Sequence, residues 1–446
     1  MGGAVLNWIW LGLILLAVVY GAFTGRMQEV SAASFDGAKQ AVTLVINLTG
    51  VMILMLGLMR VAMDGGLLRA IARAIAPLMR RLFPEVPPEH PAMGALVMNF
   101  ATNILGMGNA ATPFGLKAMR ELETLNRTPG VASDAMVLFL AINATAITLF
   151  PPTGTIAVRA AAGSLAPWSI WVPTLIATTC STGTAIAVYF LLRRLPRYKA
   201  TPLAAAPGAA TRAPEPPSPA TDPALERALT SGPGTPAGPL RRALVIAVMA
   251  ALTLALVLEV AGQLASQPAS EVAKQVMQTW LFPILIVGLL LVGVAGRVPV
   301  YETMVEGAKE GLEVGVRILP YLLAILVAVA MFRASGALDL VIGLVDPFTS
   351  RIGFPAAVLP MALLRPLSGS GAFAVMSEIV VANGPDSFIS NLACTLQGST
   401  ETTFYVVTLY FGASGTRNIR HTLVACLAGD AAGFVGATAA CHLFFG

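Results

Sequence analysis

The chain has 446 residues, of which 56% are hydrophobic and only 11% are charged, and its mean hydropathy is +0.77. Because a soluble domain carries about 25% charged residues, this composition excludes a water-soluble fold and indicates an all-α polytopic protein in a lipid bilayer. The net charge of +5 lies mostly at the ends of apolar segments, where it indicates membrane topology and not nucleic-acid binding. The four cysteines lie singly in apolar stretches, as buried thiols do, so we expect no metal site.

The first 199 residues contain spanning, surface and broken segments. Long apolar runs predict membrane-spanning helices over Val5–Phe23, Val42–Val61 and Ile170–Leu192. Small residues follow the first run, as they follow a signal peptide, but the run is long enough to span and we expect a retained helix. Arginines among apolar residues predict an amphipathic surface helix over Leu67–Phe83. Two further apolar segments are interrupted, Ala92–Met119 by the run 103–109 and Ala135–Gly163 by the run 150–154.

Residues 200–240 form the clearest boundary in the chain. They include ten prolines, which predicts a disordered cytoplasmic linker between a module at 1–199 and a module at 241–446. In the second module, apolar runs predict spanning helices over Ala243–Gly262, Trp280–Ala295, Ile318–Met331 and Thr422–Phe445, and an amphipathic helix over Ala337–Ile352. Its broken segments are Ala356–Ala382, interrupted at 368–371, and Ser387–Phe411, interrupted at 397–403.

One pattern occurs twice in the chain. Phe35-Asp36-Gly37-Ala38-Lys39 opens the first copy, and Val305-Glu306-Gly307-Ala308-Lys309 opens the second. Five arginines between positions 60 and 81 place that side of the membrane in the cytoplasm. We count each Gly-x-Gly segment as a re-entrant hairpin and each later break as one interrupted crossing. The copies then run antiparallel, with Ser34 and Thr303 on opposite sides, so the sequence predicts two inverted-topology repeats.

The breaks are the candidate substrate-binding regions, because unwound backbone at membrane depth is tolerated only where it is buried in protein or lines a wet cavity. Half-helix amino termini at such breaks attract anions, and carboxyl termini attract cations. In the first copy the candidates are Asn103, Gly106, Gly108, Asn109, Asn143 and Thr153. In the second copy they are Arg365, Ser368, Gly369, Ser370, Gly371, Gln397, Ser399, Thr400, Glu401 and Thr402.

Ionisable side chains inside apolar segments cost about 2.5–3.5 kcal/mol or more, and therefore indicate function. Glu378, Glu401 and Asp430 are candidates for binding a coupling ion, either a proton or Na⁺. Arg365 is a candidate for binding an anionic group with two hydrogen bonds. A structural ion pair between Glu401 and Arg365 is the opposing interpretation. No GxSxG, HExxH or paired-cysteine pattern occurs in the sequence, so we expect neither an enzyme site nor a cofactor.

Three motifs carry a resemblance to a known family. Residues 103–119, NILGMGNAATPFGLKAM, look like the signature of spore maturation protein A. Residues 365–372, RPLSGSGA, and 397–405, QGSTETTFY, look like spore maturation protein B. The chain therefore resembles a fusion of these two members of the nucleoside-recognition, or Gate, domain family over nearly everything except the linker. The resemblance implies a bacterial inner-membrane protein associated with spore core dehydration, without a settled substrate.

The repeat and the polar breaks together predict a transporter-like protein. It would move a small polar, anionic solute held between the modules by Arg365 and the hairpin ends. Glu401, with Asp430 or Glu378, would carry the coupling ion. The alternative is a non-transporting membrane scaffold for spore or envelope maturation, which would tolerate substitution of Glu401 and Arg365 but not deletion of the linker. The sequence leaves assembly into a homo-oligomer open.

Overall fold

The computed structural model describes residues 2–106, 108–198, 238–268, 272, 275–276, 279–349, 351 and 353–446. These residues form helices, with one isolated β-bridge between Val131 and Asn418 and no strand among them. The first half contains α1 (Gly2–Thr24), α2 (Met27–Asp64), α3 (Leu67–Leu82), α4 (Pro91–Ile104), α5 (Gly108–Thr124), α6 (Asp134–Ala144), α7 (Thr153–Ala161) and α8 (Trp171–Leu192). The second half contains α9 (Pro239–Leu264), α10 (Leu281–Ala295), α11 (Val300–Ala334), α12 (Ala337–Thr349), α13 (Leu359–Leu364), α14 (Gly369–Asn383), α15 (Phe388–Ser399), α16 (Thr403–Ser414) and α17 (Thr422–Phe445).

Helices α2–α8 recur in the same order as α11–α17. Each copy has a long helix, a surface helix, a hairpin of two helices, a crossing made of two half-helices and a closing helix. Helices α1 and α10 precede the two copies, and α9 is additional to the second half. This order confirms the repeat predicted from the sequence. Most of the predicted linker lies outside the described residues, and α9 already begins at Pro239, within its predicted bounds.

The opening helices of the two copies, α2 and α11, pack antiparallel. A Cβ atom on Gly307 would lie 3.0 Å from the Cα atom of Gly57, and one on Gly37 would lie 3.2 Å from the Cα atom of Val327. Positions 37 and 307 are as far apart in the chain as positions 57 and 327. Shifting each residue to its counterpart in the other copy therefore turns the contact of Gly37 with Val327 into the contact of Gly307 with Gly57. A pseudo-two-fold axis therefore relates the copies, as it does in inverted repeats.

The closing helices, α8 and α17, form a second antiparallel pair. A Cβ atom on Gly429 would lie 3.1 Å from the Cβ atom of Ala185, and one on Gly436 would lie 3.0 Å from the Cβ atom of Cys180. Two hydrophobic cores flank these pairs, and each combines side chains from both halves of the chain. The halves therefore do not pack as two separate domains.

The predicted spans Val42–Val61 and Ile318–Met331 were too short. They mark only the apolar middle of α2 and α11, which have 38 and 35 residues and are roughly 57 and 52 Å long. The hydrocarbon core is about 30 Å thick, so the polar ends continue as helix beyond it. Ser34 and Thr303 lie near the amino ends of these antiparallel helices, and hence toward opposite ends of the pair.

Two predicted breaks were also placed imprecisely. Helix α13 ends at Leu364 and α14 begins at Gly369, so the non-helical segment is 365–368 and not 368–371. Helix α6 ends at Ala144 and α7 begins at Thr153, so the non-helical segment is 145–152 and not 150–154. Thr145 caps the carboxyl end of α6, and its hydroxyl donates to the Ala141 carbonyl at 2.7 Å. Among the described residues, five helices are long and apolar enough to cross a membrane: Met27–Asp64, Pro167–Leu192, Pro239–Leu264, Val300–Ala334 and Thr422–Phe445, the second counted with its preceding 3₁₀ turn.

Candidate functional site

Each hairpin tip contacts the broken crossing of its own copy. In the first copy the Leu149 backbone N–H donates to the Ile104 carbonyl at 2.7 Å. In the second copy the Phe404 backbone N–H donates to the Pro366 carbonyl at 3.0 Å. The same pair of regions is thus joined in both copies by a backbone hydrogen bond.

The two broken crossings also contact each other. The Glu401 backbone N–H donates to the Ala144 carbonyl at 2.8 Å. This bond joins the break of the second copy to the start of the break in the first copy. The Thr182 hydroxyl of α8 donates to the Thr145 carbonyl, so the closing helix of the first copy supports the same point. All four breaks therefore meet inside the bundle. We call residues 104–106, 108, 144–153, 364–369 and 399–403 the central crossing.

Glycines at the hairpin tips allow this close approach. Gly106 has a φ of +72°, and a Cβ atom there would lie 2.6 Å from the Phe150 carbonyl oxygen. A Cβ atom on Gly369 would lie 2.7 Å from the Thr402 hydroxyl. The Gly-x-Gly patterns seen in the sequence thus have a packing reason in both copies.

Arg365 is the buried cation of the central crossing. Its side chain lies between α13 and α14, and the residue is only 4% exposed. One guanidinium nitrogen donates to the Thr402 hydroxyl at 3.2 Å, and another donates to the Thr400 carbonyl. Its Nε atom has no hydrogen-bond partner among the described residues. These bonds hold the guanidinium on the break and not on the Glu401 carboxylate, and they leave Nε among the unused N–H donors.

Asp430 brings a buried carboxylate from α17 to the same break. The residue is 3% exposed, and one carboxylate oxygen accepts a hydrogen bond from the Thr403 hydroxyl at 2.7 Å. Its other oxygen lies beside the buried Thr400 hydroxyl, and in the part of the chain that the structure describes neither atom forms a hydrogen bond of full geometry. Unsatisfied buried polar atoms are costly unless a ligand, ion or water completes them. The crossing therefore offers both an acceptor and a donor to a polar ligand.

An asparagine cluster forms the first copy's contribution. The Asn143 amide donates to the Asn99 side-chain oxygen at 2.5 Å, and the Asn103 amide donates to the same oxygen at 3.3 Å. Asn99 in turn donates to the Ala111 carbonyl at 2.8 Å, across the hairpin. The Tyr410 hydroxyl of the second copy lies beside Asn99. This cluster is neutral, whereas the second copy is ionic.

The other candidate residues fall into three groups. Ser368, Gly371 and Ser399 form bonds within their own segments, since Ser368 caps α14 through the Gly371 N–H and Ser399 donates to its own helix. Thr153, Ser370 and Gln397 lie at helix ends beside the crossing, where Ser370 is exposed and Gln397 is buried. Gly108 begins α5, and the side chain of Asn109 lies outside the described residues.

Glu378 lies away from the central crossing. Its carboxylate forms an ion pair with Arg333 of α11 at 2.8 Å. It is nine positions beyond the start of α14, roughly 13 Å along the helix. The structure therefore does not bring Glu378 together with Glu401 and Asp430.

Helix ends give the crossing a mixed electrostatic character. The amino termini of α5, α7, α14 and α16 and the carboxyl termini of α4, α6, α13 and α15 all lie at its segments. Amino termini favour negative charge and carboxyl termini favour positive charge, each by about half an elementary charge. Among the described residues, no group of three or more His, Cys, Asp or Glu side chains could hold a metal ion. The crossing thus combines helix ends of both polarities.

Sequence reasoning missed three residues that support the crossing. Thr182 and Thr403 are hydroxyls within apolar helices, and Tyr410 is one of several aromatics in its helix. Their spacing in the sequence does not mark them as site residues, because each side chain contacts a residue of another helix or break. A polar residue next to a break, such as Thr403, is the one sign that could have identified any of them.

Comparison with known proteins identifies the family. The nucleoside-recognition family matches residues 45–194 and 315–417. The chain belongs to this Gate family. Spore maturation protein B of Bacillus subtilis (strain 168) is 47% identical over 166 residues, which are 37% of this chain and 93% of that protein. Spore maturation protein A of the same organism is 43% identical over 190 residues, which are 42% of this chain and 96% of that protein.

The Gate protein described here is thus a fusion of A-type and B-type chains. Among solved structures, the YdaH transporter of Alcanivorax borkumensis is similar over 99% of this chain and 98% of its own, with 14% identity and a TM-score of 0.45. That likeness is too distant to inform function. The inverted repeats and the broken helices nevertheless give this multi-pass membrane protein a transporter-like architecture.

Proposed function

We propose that this Gate protein moves a small polar solute across the bacterial inner membrane through the central crossing. The observation that carries the proposal is the meeting of four helix breaks from two inverted copies around buried, incompletely bonded polar groups. In secondary transporters, substrate and coupling ions bind where discontinuous helices of inverted repeats meet. Backbone breaks of this kind are tolerated in a membrane only where they are buried in protein or line a wet cavity.

The solute is anionic in this proposal. Arg365 is buried and has an Nε donor in reserve, and four helix amino termini face the same region. A guanidinium binds a carboxylate or phosphate with two parallel hydrogen bonds, which a lysine cannot do. The asparagine cluster around Asn99 would bind the uncharged part of the solute.

Glu401 and Asp430 carry the coupling ion, a proton or Na⁺, in this proposal. Asp430 is the better placed of the two, since one of its oxygens and the neighbouring Thr400 hydroxyl lie side by side without a hydrogen bond of full geometry. Glu401 is partly exposed and contributes its backbone N–H to the contact between copies. Glu378 is assigned a structural role because Arg333 already neutralises it.

A thermal-shift experiment tests the proposal. The melting temperature of the purified protein is measured with dicarboxylates, amino acids, nucleosides and nucleotides, at two pH values and in Na⁺ or choline buffer. A ligand at 100 times its Kd adds about 2.7 kcal/mol to the stability of the folded state. We expect an anionic solute to raise the melting temperature, and Arg365→Lys to weaken its binding by at least about tenfold.

Arg333→Gln is the matched control, because it removes an ion pair between an arginine and a buried carboxylate of the same half, outside the crossing. It should keep the ligand's effect, and Asp430→Asn should abolish any dependence of that effect on Na⁺ or pH. If no compound shifts the melting temperature, or if Arg365→Ala responds like the wild type, the anionic solute site is wrong.

The names of the two relatives favour a second candidate function, a membrane scaffold in spore or envelope maturation. We assign the A-type module to 1–199 and the B-type module to 241–446, following the motifs in each half. A scaffold would act through its surface and its linker. Full activity in cells of the Arg365→Ala and Glu401→Gln variants, with loss of activity on deletion of 200–237, would favour the scaffold over the transporter.

A further inference from the structure

A buried arginine joins the two halves at one end of the bundle. Arg159, at the end of α7, is fully buried, and it donates to the Pro385 carbonyl at 2.7 Å and to the Asn391 side-chain oxygen at 2.5 Å. It also forms an ion pair with Asp386 at 2.9 Å, and that carboxylate is 43% exposed. We call these contacts between the α7–α8 and α14–α15 connections the Arg159 latch.

A second buried arginine joins the halves elsewhere. Arg420 lies between α16 and α17, with its side chain 5% exposed, and it forms an ion pair with Asp134 at 2.5 Å. It also donates to the Ala132 carbonyl at 3.1 Å and to the Tyr198 carbonyl at 2.6 Å. We call these contacts between the α16–α17 and α5–α6 connections the Arg420 latch.

The two latches are related by the repeat. The α7–α8 connection of the first copy corresponds to the α16–α17 connection of the second, and the α5–α6 connection corresponds to α14–α15. In each latch one copy supplies the arginine and the other copy supplies the more exposed aspartate. The pseudo-two-fold axis places these two regions at equivalent positions, and an arginine–aspartate pair between the copies occupies each of them.

The latches lie at opposite ends of the bundle. Helix α8 begins after the Arg159 latch and ends just before Tyr198 of the Arg420 latch, and α17 runs back between the same two ends. These helices have 22 and 24 residues, so the latches are separated by roughly 33–36 Å, about the thickness of the hydrocarbon core. The Arg420 end is the arginine-rich one, with Arg193, Arg194 and Arg197 nearby in the chain.

Each latch is joined to the central crossing by two half-helices. Helices α7 and α15 run between the crossing and the Arg159 latch, and α6 and α16 run between the crossing and the Arg420 latch. These half-helices have 9 to 12 residues and span roughly 13–18 Å. A latch that opens would therefore separate two half-helices whose inner ends form the crossing.

We propose that Arg159 and Arg420 are the gating residues of the two entrances to the central crossing, and that one latch opens while the other stays closed. Inverted repeats give alternating access when the same movement occurs at either face in turn. Both latches are closed in this structure, which corresponds to an occluded arrangement. The proposal rests on the proposed function in one respect, that a solute must reach the crossing.

One-sided thiol labelling tests the gates. In a chain with Cys180, Cys394, Cys426 and Cys441 replaced by alanine, Thr400→Cys places a thiol in the crossing. The rate of its reaction with a membrane-impermeant thiol reagent is measured in sealed vesicles from each face separately. We expect Arg159→Gln to raise the rate at least about tenfold from its own face only, and Arg420→Gln to do so from the arginine-rich face only.

Arg333→Gln, which breaks an ion pair within the second half, is the control and should change neither rate. If an arginine variant does not fold, Asp386→Asn or Asp134→Asn replaces it, since these leave the arginine with its carbonyl partners and should give a smaller change in the same direction. Equal labelling from both faces, or no increase from either, overturns the gates. Labelling needs no solute, so its outcome is independent of the thermal-shift test of Arg365.

Discussion

His421 is a buried histidine next to the Arg420 latch, and it has no hydrogen-bond partner at either ring nitrogen among the described residues. Its ring lies 5.7 Å from the Tyr189 ring and 5.4 Å from the Tyr198 ring. Burial, together with the positive charge of Arg420, lowers the pKa of His421 to about 4, and Asp134 opposes that shift only in part. The neutral ring is therefore the form that fits the folded protein.

A prediction for pH follows from this burial. The unfolded chain binds a proton at His421 near pH 6.5, whereas the folded protein does so only near pH 4. Stability from this residue is complete above pH 6.5 and is lost as the pH falls toward 4. We expect the melting temperature in detergent to fall between pH 7 and pH 5, and to fall less in His421→Gln. An equal loss in both proteins would assign the pH dependence to other groups.

At the scale of single residues, the sequence identifies charges better than their partners. Arg365, Glu401 and Asp430 are recognisable because charged residues are rare in apolar segments. The partner of Asp430 is Thr403, a hydroxyl of another helix, and Arg365 bonds to Thr400 and Thr402 rather than to Glu401. These pairings depend on how helices from distant parts of the chain cross, and local sequence does not encode that.

Glycines allow helices α2 and α11 to pack closely against each other. A Cβ atom on Gly311 would lie 2.7 Å from backbone atoms of Ile53, and backbone has little room to shift. We expect Gly311→Ala to destabilise the protein by about 1–3 kcal/mol, the usual cost of overpacking. A fall in melting temperature, or easier denaturation in a harsher detergent, measures the effect.

Gly50→Ala is the matched control for Gly311→Ala. Gly50 lies on α2 of the same helix pair, but a Cβ atom there would meet nothing within 4 Å. Alanine is favoured over glycine in a helix by about 1 kcal/mol, so this variant should keep or raise the melting temperature. If both variants behave alike, close packing of α2 on α11 does not contribute as argued.

At the scale of helices, hydropathy predicts the bounds of those that are apolar along most of their length. The bounds of α17 agree with the predicted Thr422–Phe445, and α1 agrees within three residues at its amino end. The bounds of α2 and α11 disagree because their polar ends continue as helix beyond the apolar middle, where the two helices pack on each other. The hydrophobic periodicity of a segment indicates which of its faces are apolar, but it does not identify the helix that packs on them.

The inverted arrangement of the whole molecule was predictable from the sequence, because arginines mark one side and the motif order recurs. The pairing of copies was not, since the α2–α11 and α8–α17 contacts join residues more than 200 positions apart. Both hydrophobic cores draw on both halves. The helices therefore already define the interface between the halves. The covalent connection through 200–237 only raises the effective concentration of one half near the other.

A split-chain experiment tests this view of the molecule. Residues 1–199 and 241–446 are expressed as separate chains, one carrying an affinity tag, either alone or together. Since each core is incomplete without the other half, we expect each fragment alone to aggregate in detergent and the two together to co-purify in equal amounts. Gly311→Ala should weaken co-purification more than Gly50→Ala, because only the former places an atom against the partner backbone. If either fragment alone is monodisperse and melts cooperatively, the halves are independent domains and the shared cores are not what holds them together.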